Sequence, residues 1–294
     1  MNFIKRLEEY SENHCWQYEV RLNNQQEDKI SFYNKFNFDC EQLNVDDFVY
    51  RPLITKEEKI QAKQFIERYE WLGNLTQYST HYFGAFYQAE LGGVIIFSMP
   101  NAFTKLLGED TKKIERLISR GACASWTPKS LASQFLMWCI KWMVKNTPYR
   151  LFTAYSDPTA KELGTIYQAC NFYYLGNNSG TTTRYINPYT GKLVSDRFFR
   201  QRTAYKKYAK ELGIVWQKNW TKPNGINWDN IPTNIETQLR NYSKQKQQEA
   251  EQIIFPSKHK YAYVLGASKL ETKRLRKDFE KRNKILPYPK ERGQ

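Results

Sequence analysis

The chain has 294 residues, 40% hydrophobic and 16% aromatic, enough for one substantial domain with an accessory region or for two modest domains. No run of about 18 apolar residues occurs and the N-terminus MNFIKRLEEYSENHCW has no apolar signal core, so the sequence excludes a spanning helix and points to the cytoplasm. A net charge of +15 calls for a polyanionic partner, while five cysteines without CxxC spacing argue against a disulfide framework and a structural zinc site.

In chain order, residues 1–47 are polar and rich in Asn, Gln and Glu, and are expected to form an N-terminal extension with a short helix and at most one strand. His14 and Cys15 with the distant Cys40 are candidate metal ligands or ordinary surface and core residues, and the metal question stays open. Residues 48–54 read as a strand. Thr55 opens a helix continued by Ile60, Phe65, Ile66 and Tyr69, with Glu58 completing a capping box. Residues 81–86 and 93–97 read as antiparallel strands around a tight turn at 88–92.

The β-branched segment KIERLISRGACA, 113–124, is another predicted strand. A loop at 125–130 follows, then a helix over 131–145 expected to bury Phe135, Met137, Trp138, Ile140, Trp142 and Met143. The run 151–155 is a predicted strand broken by Ser156, Asp157 and Pro158. Apolar residues at Leu163, Ile166, Tyr167 and Cys170 predict a helix over 159–171, followed by a strand at 172–175 and a Gly/Asn/Thr-rich connector at 177–191. Asp157 thus falls at a strand's carboxyl end before a helix, where open α/β sheets place their ligand crevices. A carboxylate there serves as a base or orients an amine; a helix N-cap or turn Asp is the other reading.

The charge is unevenly spread. Residues 184–220 hold nine Lys/Arg against two Asp/Glu, and residues 258–292 hold twelve against four, giving +7 and +8, the whole excess. The first segment interleaves Phe198, Phe199, Tyr205, Tyr208, Trp216 and Trp220 with its cations, which suits phosphate neutralisation with base stacking; a solvated helix face over core aromatics is the alternative.

The order β-α-β-β-β-α-β-α-β resembles the GNAT acyltransferase topology, and within it the chain is similar to the Mom family of phage DNA-modification proteins. The likeness rests on IERLIS with Arg116, PKSLAS with Ser130 and Ser133, YSDP with Asp157 and GTIYQACNFYYLG with Tyr167, and more patchily on KHKYAYVLG and LPYPK. It implies an α/β (α+β) fold with a GNAT-like mixed, mostly antiparallel sheet flanked by helices. The expected division is 1–47 as an extension of unknown role, 48–176 as the catalytic core and 177–294 as a basic C-terminal region for DNA contact.

The implied activity is transfer of a small acyl-type or acetamido-type group to the exocyclic amine of adenine in DNA. Such a change shields a phage genome from restriction in the cytoplasm of the infected bacterium. A conventional N-acetyltransferase and a non-catalytic DNA-binding protein are the alternatives. By this resemblance Asp157 is the base or orienting carboxylate, Tyr167 a proton donor or hydrogen-bonding group, Arg116 a holder of donor or DNA anions, and Tyr82 a further site residue. The loop SWTPKSLAS has no glycine, unlike the usual coenzyme A loop, so Lys129, Ser130 and Ser133 are left as contacts for acetyl-CoA or another donor. Expected DNA contacts are Arg184, Arg197, Arg200, Arg202, Lys206, Lys207, Lys258, Lys260, Lys273 and Arg274. Tyr82, Phe83, Phe103 and Tyr155 are candidates to stack on an extruded base.

Overall fold

The structure is a computed structural model that describes residues 14–290, apart from 76, 77, 101, 109, 110, 178, 179, 188 and 192. The described residues divide into two compact units, one of 14–180 with 257–290, the other of 181–256. The boundary falls differently from the expected one at 176, because the last 34 described residues return to the first unit.

Its centre is a seven-stranded sheet in the order β1-β2-β3-β4-β5-β12-β6. The strands, numbered along the chain, are β1 (Phe48–Pro52), β2 (Ser79–Tyr87), β3 (Glu90–Ser98), β4 (Glu115–Cys123), β5 (Leu151–Ser156), β6 (Tyr173–Tyr174) and β12 (His259–Val264). All neighbours run antiparallel except β4 and β5. That parallel pair is joined only from Glu115↔Leu151 to Ile118↔Ala154, so the two strands part beyond Ile118 and Ala154. The β3/β4 register also slips by one residue, Phe97 pairing with Ile118 and Ile96 with Arg120, which leaves Ser119 as a bulge.

Four helices of this unit follow the expected positions with corrections: α1 (Trp16–Phe36), α2 (Lys56–Tyr69), α3 (Leu131–Asn146) and α4 (Thr165–Ala169). α1 has 21 residues rather than one or two turns, and no strand accompanies it among residues 14–47. The capping box of α2 forms as read, Glu58 N donating to Thr55 Oγ1 at 3.1 Å and Thr55 N to Glu58 Oε2 at 3.0 Å. α3 buries Phe135, Ile140 and Met143 against Phe83, Phe97 and Phe152, but Met137, Trp138 and Trp142 are only half-buried. Phe279 of the last helix, Lys269–Arg282, closes a smaller core over Leu151, Ala262 and Val264.

The helix expected over 159–171 is shorter than its periodicity suggests. A single 3-10 turn at Pro158–Ala160 is followed by the five residues of α4, because Lys161 (φ 54°) and Gly164 (φ 66°) take left-handed conformations that end helices. Gly164 is demanded by packing as well: a Cβ there would lie 2.5 Å from the Tyr261 ring.

The second unit holds a three-stranded sheet, β11-β7-β8, of β7 (Thr182–Ile186), β8 (Leu193–Val194) and β11 (Gln252–Phe255), so the expected connector contains a strand. A two-stranded ribbon, β9 (Thr221–Lys222) with β10 (Gly225–Ile226), and the helices α5 (Arg202–Glu211) and α6 (Thr233–Glu249) complete it; the helix at Lys269–Arg282 is α7. Tyr205, Tyr208, Trp220 and Leu239 form its core, and Phe199 packs beside Tyr185. The rings of Phe199, Tyr205, Tyr208 and Trp220 are therefore core aromatics and offer no stacking surface. Lys206, Lys207 and Lys210 are exposed around the buried Tyr205, Tyr208 and Ala209, so the segment is an amphipathic helix.

Gly164→Ala combines a left-handed φ with a clash against a buried ring. It is expected to destabilise the fold by about 2–5 kcal/mol, measurable as a drop in the denaturant midpoint at unchanged slope.

Candidate functional site

Where β4 and β5 part, the sheet loses its ladder hydrogen bonds and the chain after β5 turns away. The turn is held by Asp157 and Glu162 reciprocally. Asp157 N donates to Glu162 Oε2 at 3.1 Å, and Glu162 N donates to the Asp157 carbonyl at 3.1 Å. The Asp157 side chain accepts from Thr159 N through Oδ1 at 3.0 Å and pairs through Oδ2 with Lys258 Nζ at 2.8 Å. Asp157 is thus a turn-capping carboxylate, as the second sequence reading had it, and one arm of an ion pair at the mouth of the gap.

Glu162, which the sequence reading passed over, reaches a second segment. Its Oε1 accepts from the indole Nε1 of Trp71 at 2.9 Å, two residues beyond the end of α2. Burial pushes this carboxyl up to about 7, outweighing the hydrogen bonds from Asp157 N and Trp71; the Asp157 charge raises it further and Lys258 opposes. Glu70, beside Trp71, is 8% exposed, accepts from Gly73 N at 3.0 Å and lies 3.6 Å from Nε of Arg120. Arg120 in turn donates to the Asn74 carbonyl at 2.5 Å and to Asn74 Oδ1 at 2.8 Å, fixing the segment after α2 onto β4.

Tyr167 of α4 packs between Phe172 and Tyr261, each ring 5.3 Å away. Burial drives its phenol far above the ordinary tyrosine value, and the charges of Glu162 and Glu70 add to that shift. The phenol therefore stays protonated beside two carboxylates. Together these groups make a polar cluster in a basic chain: a carboxyl raised to about 7, a neutral phenol, a fixed guanidinium and the Asp157–Lys258 pair. That set can take a proton from an amine and donate a hydrogen bond to a leaving group.

Two of the expected site residues, Asp157 and Tyr167, belong to this cluster. Arg116 does not, because it pairs with Phe152 near the start of the parallel strands whereas Asp157 follows their far end. It stacks 3.7 Å from the Tyr149 ring centroid, bonds the Tyr149 hydroxyl and donates to the Glu115 carbonyl at 2.7 Å. The Glu115 carboxylate is occupied by Thr104 and Thr153, so it is not the partner of Arg116. Tyr82 shares a cross-strand row with Ile96 and Arg120, two strands from Arg120 and so about 10 Å away. Phe83 is fully buried and cannot stack on a base, while Tyr155 is half-buried one residue before Ser156.

Among the expected DNA contacts, Arg197, Arg200, Lys206, Lys207, Lys273 and Arg274 are exposed. Arg200 is paired with Asp196, Arg202 donates to the Lys222 carbonyl, and Arg184 sits in the middle of β7 opposite Ile253. Lys258 is the Asp157 partner. Lys260 pairs in register with Tyr155 inside the sheet, where burial lowers its ammonium from the ordinary value. Among the described residues no group of three or more His, Cys, Asp and Glu is arranged to hold a metal ion. Cys40 is a core residue, and His14 pairs with Glu19. No described helix is long and apolar enough to cross a membrane.

The loop after β4, which the resemblance drawn from the sequence implies as the place for a donor's diphosphate, has its first half taken by α1. The Asp28 carboxylate, 3% exposed, accepts from Ser125 N at 3.1 Å and from Arg68 and Tyr69 at 2.9 Å each. Arg21 donates to the carbonyls of Ser125 and Thr127, Ser125 Oγ donates to the Arg21 carbonyl, and Trp126 stacks between Phe32 and Phe48. Thr127 N bonds the Ala124 carbonyl and residue 128 is a proline without an amide. A diphosphate does not fit against residues 125–127, which already hold an anion. Lys129 and Ser130 at the start of α3 stay exposed, whereas Ser133 Oγ donates to the Ser130 carbonyl. Asp28→Ala would orphan the Ser125 amide and the Tyr69 hydroxyl, for an expected loss of about 3 kcal/mol in a chemical-denaturation experiment.

Among solved structures, the chain is similar to a GNAT family acetyltransferase from Elizabethkingia anophelis with acetyl-CoA bound, at 12% identity and a TM-score of 0.33, covering 75% of this chain and 99% of that one. RimL, a ribosomal L7/L12 alpha-N-protein acetyltransferase, matches at 13% identity and a TM-score of 0.35 over 75% and 95% of the two chains. A Bacillus subtilis acetyltransferase in complex with CoA matches at 11% and 0.34 over 74% and 99%. Likenesses this low add nothing to the strand order and register described above. No curated protein matches the chain. The Mom protein family model matches residues 52–290, from the last residue of β1 to the end of the described chain and over every group of the β4/β5 gap, and the chain belongs to that family.

Proposed function

We propose that the protein is a DNA-modification transferase that places a small acyl-type or acetamido-type group on the exocyclic amine of adenine, protecting phage DNA from restriction in the cytoplasm of the infected bacterium. The observation that carries this reading is the meeting of Glu162, Asp157 and Tyr167 at the parting of β4 and β5, within the stretch matched by the Mom family. An aromatic exocyclic amine is a poor nucleophile with its lone pair delocalised into the ring, so its modification calls for a nearby proton acceptor. A carboxyl poised near 7 is suited to that task, and a phenol held neutral is suited to donate a hydrogen bond to what leaves.

The donor is an activated acyl carrier, acetyl-CoA or another, and when bound it supplies the transferred carbon. Lys129 and Ser130 are the residues of the loop after β4 left to meet a phosphorylated carrier. The target amine is paired inside duplex DNA, so the base must be extruded or already single-stranded, at a cost of a few kcal/mol for extrusion. Exposed cations on α5 and α7 supply the phosphate contacts that offset it: Lys206 and Lys207 in one unit, Lys273 and Arg274 in the other.

Nucleosides from plasmid DNA of cells expressing the protein are expected to contain a modified deoxyadenosine by mass spectrometry, absent with Asp157→Ala. Unmodified nucleosides from cells with soluble wild-type protein and its donor would overturn the reading. A Lys273→Ala, Arg274→Ala double variant is expected to flatten the salt dependence of DNA binding by about 1.8 in log K against log salt, if each cation meets one phosphate.

A further inference from the structure

We propose that Glu162 is the group that takes the proton from the target amine, and that Trp71 and the Asp157 backbone hold its carboxylate for that purpose. This inference rests on the amine-modifying reading above and adds to it a residue that neither periodicity nor the matched motifs single out. The geometry behind it is a carboxylate fixed from two directions. One oxygen is held by the Trp71 indole at 2.9 Å and the other by Asp157 N at 3.1 Å. A carboxylate has about four acceptor positions, so two remain after both bonds are made.

Every element packed round Glu162 contributes a group that bears on its charge. The segment after α2 brings Trp71 and the neighbouring Glu70, which is engaged by Arg120 of β4. The turn after β5 brings Asp157, the residue before β12 is Lys258, paired to Asp157, and α4 brings the neutral Tyr167 phenol. Asp157 and burial favour the protonated acid, Lys258 and the two hydrogen bonds favour the carboxylate, and the balance lies at about 7. Asp157 itself is spent on Thr159 N and Lys258, which leaves it to shape the turn and the local charge.

In the step this assigns, the amine nitrogen forms a bond to the acyl carbon of an ester or thioester donor while the bond from that carbon to its leaving oxygen or sulfur breaks with its electron pair. The N–H proton passes to Glu162. The departing alkoxide or thiolate accepts a hydrogen bond from the Tyr167 phenol and takes its proton from water, and transfer of the Glu162 proton to water returns the site to its starting state.

A purely structural carboxylate would hold the turn without setting a pH profile, and that separates the two roles. The full-length protein is assayed on plasmid DNA with an extract of non-expressing cells as the donor source, counting modified deoxyadenosine between about pH 5.5 and about pH 8.5. The wild-type rate is expected to rise with pH through a midpoint near 7, because only the ionised carboxylate accepts a proton. Glu162→Gln is expected to lose about 100-fold or more and to show a flat profile in what remains. A second readout needs no donor: tryptophan fluorescence of the free protein should titrate near 7, and the change should vanish in both Glu162→Gln and Trp71→Phe. A Gln variant that keeps the wild-type rate and profile, or a fluorescence titration that survives it, overturns the assignment alone. Wild-type protein that titrates near 7 but modifies no DNA at any pH overturns the amine-modifying reading, and this inference with it.

Discussion

The fold's most consequential constraint is the partial pairing of β4 with β5. Four residue pairs, Glu115↔Leu151 to Ile118↔Ala154, tie the strands, and past them the peptide groups of β5 must find partners elsewhere. β12 runs antiparallel along the opposite edge of β5 from Leu151 to Ser156 and serves only the groups on that side. The Glu162 carboxylate supplies one by accepting from Asp157 N just where the strand ends. The gap between the strands is thus lined by a side chain doing what a neighbouring strand does elsewhere. Because that side chain is acidic and half-buried, satisfying the backbone there also leaves a carboxyl raised to about 7.

The chain is basic, and it carries an acidic cluster at the parting of β4 and β5. Exposed cations act over a Debye length of about 8 Å in physiological salt. Glu70 and Asp157 are shielded from solvent and Glu162 is half-buried, and two of the three are already matched to cations: Arg120 lies beside Glu70 and Lys258 bonds Asp157. Glu162 has no direct ion pair among the described residues, which is why its charge is the negotiable one. Burial and the Asp157 charge raise the carboxyl, and the two hydrogen bonds and Lys258 oppose them, which brings it to about 7.

The sequence carried the elements and missed the details that turn side chains from one face to another. Alternation along β4 puts Arg116, Ile118 and Arg120 on one face, and the bulge at Ser119 breaks this. Ile118 meets Phe97 of the core while Arg120 meets Ile96, so Arg120 turns to the opposite face, where Glu70 lies. No residue type announces that bulge, and the family motif drew attention to Arg116 instead. Asp157 was legible because the Asp-Pro pair ends a strand. Glu162 was not, because apolar spacing through Leu163, Ile166 and Tyr167 made its segment read as helix, with Glu162 on the solvated side. Gly164 was the available signal: an interior glycine costs a helix about 1 kcal/mol, and here it marks the break that turns Glu162 inward.

The N-terminal extension, opaque in sequence, proves to buttress both sides of the site. Gln17 accepts from Trp71 N at 3.2 Å and donates to the Tyr69 carbonyl at 2.6 Å, so α1 sets the segment that presents the indole to Glu162. Trp16 packs edge-on against Trp71 at 5.2 Å, and three turns further along the helix Asp28 closes the amides of the loop after β4. One helix lying outside the family match therefore fixes the partner of the proposed proton acceptor and also occupies the position a diphosphate would take. A carboxylate bound by a buried amide, a phenol and a guanidinium is an internal anion that a ligand would have to displace against several hydrogen bonds. The first half of that loop is consequently closed to a diphosphate, because Asp28 already holds the Ser125 amide.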